Sequence, residues 1–105
     1  MISEGAVMAS FQKIVEGEQV VLIDFFAEWC GPCKMMKPIL EDLKQQLGDQ
    51  VKIIKIDVDK NPQLSAELNI QGVPTLMIYK QGKSQWRQSG VVSANDLKKI
   101  IQSLH

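Results

Sequence analysis

The run Val20-Val21-Leu22-Ile23-Asp24-Phe25-Phe26-Ala27, continued by Glu28-Trp29-Cys30-Gly31-Pro32-Cys33-Lys34, decides how this chain folds. Its first part is almost continuously apolar and reads as a strand buried on both faces. That strand delivers both of the chain's 2 cysteines, separated by two residues. From Cys33 the pattern turns helical. Met36, Leu40, Leu43 and Leu47 form one stripe, and Gly48 ends it. Gly31-Pro32 holds the turn tight, because proline fixes φ near helical values. Cys30 then lies near the start of a helix, where backbone N–H groups and the macrodipole favour an anion. A reactive thiolate is expected at Cys30. Pro38 falls inside the helix and predicts a kink.

Outward from this centre the chain alternates helices and strands. Val7, Phe11, Ile14 and Val15 repeat at helical spacing, which predicts an amphipathic helix from Val7 to Glu16. Val51 to Val58 is rich in β-branched residues and reads as a second buried strand. Asn61-Pro62 reads as a cap and first helical position, with Leu64 and Leu68 facing inward. Thr75 to Tyr79 reads as a third strand. Gln81-Gly82 makes a turn, and Ser84 to Ser89 returns as a weaker antiparallel strand. Ser93 and Asp96 fit a capping box for a last helix lined by Leu97, Ile100, Ile101 and Leu104. The alternation predicts one α/β domain over residues 1–105, a mixed sheet between helices.

Other readings of the cysteine pair are weaker. A structural disulfide closing a loop of roughly four residues contributes about 2 kcal/mol in the chain-entropy picture, against about 3 for fifteen. A zinc site normally takes four Cys or His ligands. Beyond the two cysteines there is only His105. No metal is therefore expected. The Gly-Pro turn also argues against a buried, idle pair.

Composition narrows the field. The 105 residues suit one domain, and 45% apolar content supports an ordinary core. Twelve basic residues balance 12 acidic ones, so no nucleic-acid partner and no anionic membrane surface is indicated. No apolar run approaches the ~18 residues of a membrane span. Met1-Ile2-Ser3-Glu4-Gly5 does not read as a secretory signal. Two cysteines in such a chain point to a reducing, cytoplasmic setting and a working thiol pair.

Several motifs at correct mutual spacing resemble the thioredoxin family, over nearly the whole chain. Phe25 to Lys34 is similar to the family's active-site signature. Lys55-Ile56-Asp57-Val58-Asp59 resembles its central strand, and Gly72-Val73-Pro74-Thr75 its cis-proline loop. Lys80-Gln81-Gly82 resembles its hairpin, and Gly90 the glycine beside its substrate groove. The resemblance implies a mixed sheet of four to five strands flanked by about four helices. It also implies reduction of protein disulfides, with thioredoxin reductase or an equivalent electron donor resetting the pair. There are two departures. Met1 to Ala6 contains Gly5 and has little β propensity, so the family's first strand is hard to find. Phe26 stands where many bacterial members carry tryptophan.

The supporting residues each admit two readings. Asp24 is the only charge in the first strand. It either faces water or is buried, and a buried charge costs several kcal/mol unless paired or neutralised. Burial, together with the resemblance, points to proton transfer with Cys33. Lys55 either snorkels to solvent or partners Asp24, the latter being expected. Trp29 is either core or part of an exposed apolar rim, the latter being expected. The resemblance implies a cis Val73–Pro74 bond that lets the Val73 backbone pair with an extended substrate. Lys34 reads as a solvated charge, and Met35 and Met36 as helix packing.

The expected chemistry is dithiol–disulfide exchange by a monomer without a cofactor. Cys30 attacks a substrate disulfide, and Cys33 resolves the mixed disulfide, leaving Cys30–Cys33 oxidised. The rim would comprise Trp29, Gly31, Pro32, Val73, Pro74, Gly90 and Val91. Two other functions stay open from sequence: a disulfide oxidase or isomerase, and a binding module without turnover. The absence of histidine between the cysteines argues against a strong oxidase.

Overall fold

The computed structural model describes residues 4–105. Helix α1 spans Glu4–Val15, and strand β1 spans Val20–Phe26. Helix α2 follows over Gly31–Leu47, a short 3-10 turn over Gly48–Gln50 and strand β2 over Val51–Asp57. Helix α3 covers Pro62–Glu67, and strands β3 and β4 cover Thr75–Lys80 and Lys83–Ser89. Helix α4 covers Ala94–Ser103. The described strands form one four-stranded sheet in the order β2-β1-β3-β4.

β1 is buried along almost its full length because it has a strand on each side and helices on each face. It runs parallel to β2, with Val20 opposite Val51 and Asp24 opposite Lys55. It runs antiparallel to β3, with Asp24 opposite Leu76. Successive strand residues point to opposite faces, so β1 feeds two cores. Val20 and Leu22 pack with Leu40 and Leu43 of α2 and with Leu97 and Ile101 of α4. Val21, Ile23 and Phe25 pack with Phe11 and Val15 of α1 and with Leu64 of α3. Phe11 meets the Tyr79 ring edge-on at 5.3 Å between centroids.

Turns and caps follow local chemistry. Gly48 closes α2 with φ 53°, and its N–H bonds back to the Lys44 carbonyl. Gln81 and Gly82 both have positive φ in the β3–β4 hairpin, the conformation whose twist matches the flanking strands. Ser93 caps α4 by accepting the Asp96 N–H at 3.1 Å. Replacing it, Ser93→Ala, should cost about 1 kcal/mol in a urea melt. A change below about 0.3 kcal/mol would mean that water caps this end equally well.

Several expectations are corrected. β2 is an edge strand among the described residues, and Lys52 and Lys55 are exposed on it. Its isoleucines pack on only one strand neighbour, which leaves the run half-buried. α1 starts at Glu4 instead of Val7, so Glu4 to Ala6 is helical. The rest of the region searched for a first strand, Met1 to Ser3, lies outside the described residues. Ile14 is 38% exposed, off the stripe of Val7, Met8, Phe11 and Val15 that packs on the core. Pro38 does lie inside α2, which continues past it. Asn61 stands at the cap of α3 but makes no side-chain cap there. Its amide instead donates to the Asp57 carbonyl at 2.9 Å.

Candidate active site

The end of β1, the start of α2 and the loop before β3 meet at the cysteines. Cys30 and Cys33 are joined as a disulfide, with Cα atoms 5.3 Å apart. Cys30 occupies the N-cap of α2, and its Sγ accepts the Cys33 N–H at 3.2 Å. Pro32 sits within the first positions of that helix, where its missing donor costs nothing. The Cys30 Sγ lies 3.6 Å from the Val73 carbonyl oxygen. Cys30 is 3% exposed and Cys33 6%. Cys30, at the start of the helix, is thus no more exposed than Cys33 in this oxidised form. What separates them is place in the helix: Cys30 receives an amide from the first turn, and Cys33 supplies it.

Around the dithiol lie exposed apolar groups. Trp29 is 71% exposed, which removes the core reading for it. Gly31 and Pro32 are exposed, Val73 and Gly90 half-buried, and Pro74 buried. Val91 is 38% exposed. The Val73–Pro74 bond is cis. The Gly90 N–H bonds the Pro74 carbonyl at 2.8 Å, and Gly90 has φ 94°, a conformation glycine adopts without strain. All seven expected rim residues thus come from the segments flanking the disulfide. Met36 is buried as expected, but Met35 is 59% exposed, so it joins the surface and not the packing.

Two residues that the sequence reading missed support this surface. The Trp29 indole N–H donates to Asp59 Oδ2 at 2.8 Å. The Arg87 guanidinium donates to the Leu68 and Asn69 carbonyls, each at 2.6 Å, and so fastens the end of α3 ahead of the cis-proline loop. Asp59 had a sequence signal, since it follows an apolar strand at the same end of the sheet. Arg87 had none, because its partners lie in another element. Asp59→Ala should free the indole, shift Trp29 emission and raise KM for a disulfide substrate by about two- to tenfold, the worth of one polar hydrogen bond. Unchanged emission and KM would show that the bond does not position the ring.

Asp24 is 1% exposed, and neither carboxylate oxygen has a hydrogen-bond partner among the described residues. Burial pushes its carboxyl up from 3.8 to about 6, with the Lys55 charge pulling the other way. Asp24 shares the face of β1 that carries Val20 and Leu22, the face covered by α2 and hence by the helix of Cys33. The expected Asp24–Lys55 pairing is corrected in part. The two are register neighbours, but Lys55 makes no ion pair with Asp24. Its ammonium lies 4.8 Å from the Phe26 ring centroid and is solvated. A long, flexible cation gains more from water and an aromatic face than from following a carboxylate into the core.

A groove of about 270 Å³ opens beside Cys33, lined also by Phe26, Ala27, Lys34, Lys37 and Lys55. It leaves the Cys33 side chain open to water. Among the described residues no three His, Cys, Asp or Glu side chains group as metal ligands.

A redox dithiol at a helix start, beside a cis-proline loop, defines a disulfide-exchange protein. Comparison with known proteins agrees. The family model for thioredoxin matches residues 4–103. Thioredoxin of Rickettsia felis is 40% identical over 90 residues, 85% of this chain and 86% of that protein. A thioredoxin-like protein of Synechocystis is 43% identical over 95 residues, 90% of each chain. Oxidised mitochondrial thioredoxin 3 of Saccharomyces cerevisiae superposes with a TM-score of 0.80 at 34% identity, covering 91% of this chain and 89% of that one. The chain belongs to the thioredoxin family. With its adjacent Cys30–Cys33 pair it is a thiol–disulfide oxidoreductase of the protein-disulfide reductase type.

Proposed function

We propose that Cys30 is the attacking thiolate and Cys33 the resolving thiol. Family members react with disulfide substrates and with reductases. In the reduced protein Cys30 attacks one sulfur of a substrate disulfide, and the other substrate sulfur leaves as a thiolate. Cys33 loses its proton to Asp24, directly or through water in the adjoining groove. It then attacks the Cys30 sulfur, and the second substrate thiolate leaves. Two electrons have passed to the substrate, and Cys30–Cys33 is the disulfide seen here. Asp24 is the proton carrier, and the Lys55 charge keeps its carboxyl from rising further out of range.

The single observation that carries this reading is the Cys30 sulfur at the α2 N-cap, 3.6 Å from a carbonyl on an open rim. Trp29, Gly31, Pro32, Val73, Pro74, Gly90 and Val91 would hold the substrate, its extended backbone pairing with Val73. The donor would be thioredoxin reductase or an equivalent dithiol source. The protein would act as a monomer in the cytoplasm, without a cofactor. No helix among the described residues is long and apolar enough to cross a membrane. A redox titration against dithiothreitol tests the direction of flow. The pair should fall on the reducing side of the glutathione couple. A pair that instead oxidises reduced glutathione would replace the reductase with an oxidase.

A further inference from the structure

Among the described residues, strand β2 has an open outer edge whose backbone groups are only partly taken. The Val58 N–H bonds the Phe26 carbonyl of β1, so residues 52, 54 and 56 turn their backbone toward β1, and residues 51, 53, 55 and 57 turn it outward. Two of the outward residues are closed by the chain's own side chains. Lys44 donates to the Val51 carbonyl at 2.7 Å, and Asn61 to the Asp57 carbonyl at 2.9 Å. Between these stops, Ile53 and Lys55 present N–H and C=O groups without a partner among the described residues.

Grooves lie above and below this edge, each of about 410 Å³. On the α2 side the groove is walled by Leu40 and Ile53 and ringed by Lys37, Lys44 and Lys55, with Glu41 its only acid. On the α1–α3 side it is walled mainly by Val7, Phe11, Ile14, Ile54, Ile56 and Leu64, with Ser10, Asn61 and the shared Lys55 also on its lining. A strand added to the edge would send alternate side chains into the two grooves. The first groove favours carboxylates and the second favours apolar groups.

We propose that the outer edge of β2 docks an extended segment of a partner polypeptide in which acidic and apolar residues alternate. The segment pairs antiparallel with Ile53 and Lys55. Its acidic residues stand opposite these two and meet Lys37 and Lys55, and its apolar residues cover Ile54 and Phe11. A second copy of this chain is disfavoured as occupant, because β2 against β2 brings both sets of lysines to one side of the joined sheet. No sulfur takes part, although Lys37 and Lys55 also line the groove beside Cys33.

The probe is a blocked hexapeptide of alternating valine and glutamate, titrated into the isotope-labelled full chain. Saturable shifts should centre on the Ile53 and Lys55 amides. Their hydrogen exchange should slow about tenfold when the peptide stands near ten times its dissociation constant. The same peptide N-methylated at its glutamates, which lie in the bonding positions, should not bind. A valine–lysine peptide should not bind either, and Lys37→Glu should weaken the glutamate peptide. Binding unaffected by N-methylation or by the switch to lysine would overturn edge pairing or charge matching respectively. Absence of saturable shifts would overturn the site. Ile53 and Lys55 amides already protected in the free monomer would mean the chain covers its own edge. Protection that grows with protein concentration would assign the edge to a second copy.

Discussion

Cys30→Ser should abolish disulfide reduction, by at least about a thousandfold, because it removes the group that forms the first covalent bond. Cys33→Ser should also stop turnover, but by a different route. The mixed disulfide still forms on Cys30, no thiol resolves it, and the complex accumulates on a non-reducing gel. The asymmetry follows from the helix. Cys30 is at the N-cap of α2 and its sulfur receives the Cys33 N–H at 3.2 Å. A thiolate there keeps that hydrogen bond and gains from the positive end of the helix. Cys33 has only the groove it shares with Phe26 and Lys37. Exposure offers no such distinction, at 3% and 6%. Brief alkylation of the reduced protein near neutral pH should therefore label Cys30 first. Preferential labelling of Cys33, or trapped complexes on the Cys30→Ser protein, would exchange the two roles. Turnover that survives Cys30→Ser would leave only a binding module.

What could be read from the sequence divides along physical lines. β1 and α2 were legible because their signals are local: a continuous apolar run, then a stripe at helical spacing closed by Gly48. The dithiol was legible because its spacing and the Gly-Pro turn belong to one short segment. The exposure of β2 was not, since Ile53, Ile54 and Ile56 read like any buried strand. Whether a strand lies at an edge depends on which other strands reach it. The same limit hid the Trp29–Asp59 bond and the Arg87 clasp on α3, which join residues far apart in the chain. Lys55 shows a further limit. Its register opposite Asp24 follows from the strand pairing, but a flexible ammonium chooses its own place, and here it chose Phe26 and water. The burial of Asp24 was visible only because the flanking residues leave no polar face for it.

Asp24→Asn should make the protein more stable at pH 8 while slowing resolution of mixed disulfides. Burial raises the Asp24 carboxyl to about 6 in the folded chain, against 3.8 as the ordinary value. Below 3.8 both folded and unfolded chains carry the proton, and the carboxyl exerts no pH-dependent penalty. Between there and about 6 the unfolded chain ionises first, so stability falls as pH rises. Above that range both are ionised and the loss levels off at about 3 kcal/mol. The asparagine variant removes this loss. Its buried amide has its own cost, also unpaired, but that cost does not change with pH. The measurable quantity is therefore the change in the gap between the two proteins. Denaturant melts at pH 4 and pH 8 should show the gap moving by up to about 3 kcal/mol in favour of Asp24→Asn. Reduction by the variant should fall about 100-fold or more at neutral pH, the contribution of one positioned proton carrier. Lys55→Met separates the two functions of the neighbouring charge. Without it the Asp24 carboxyl should rise further and the fall in stability should extend to higher pH. A gap that stays constant from pH 4 to pH 8 would mean that Asp24 is solvated or paired in solution. A widening gap with an unchanged rate would leave Asp24 a buried carboxyl without a part in the proton transfer.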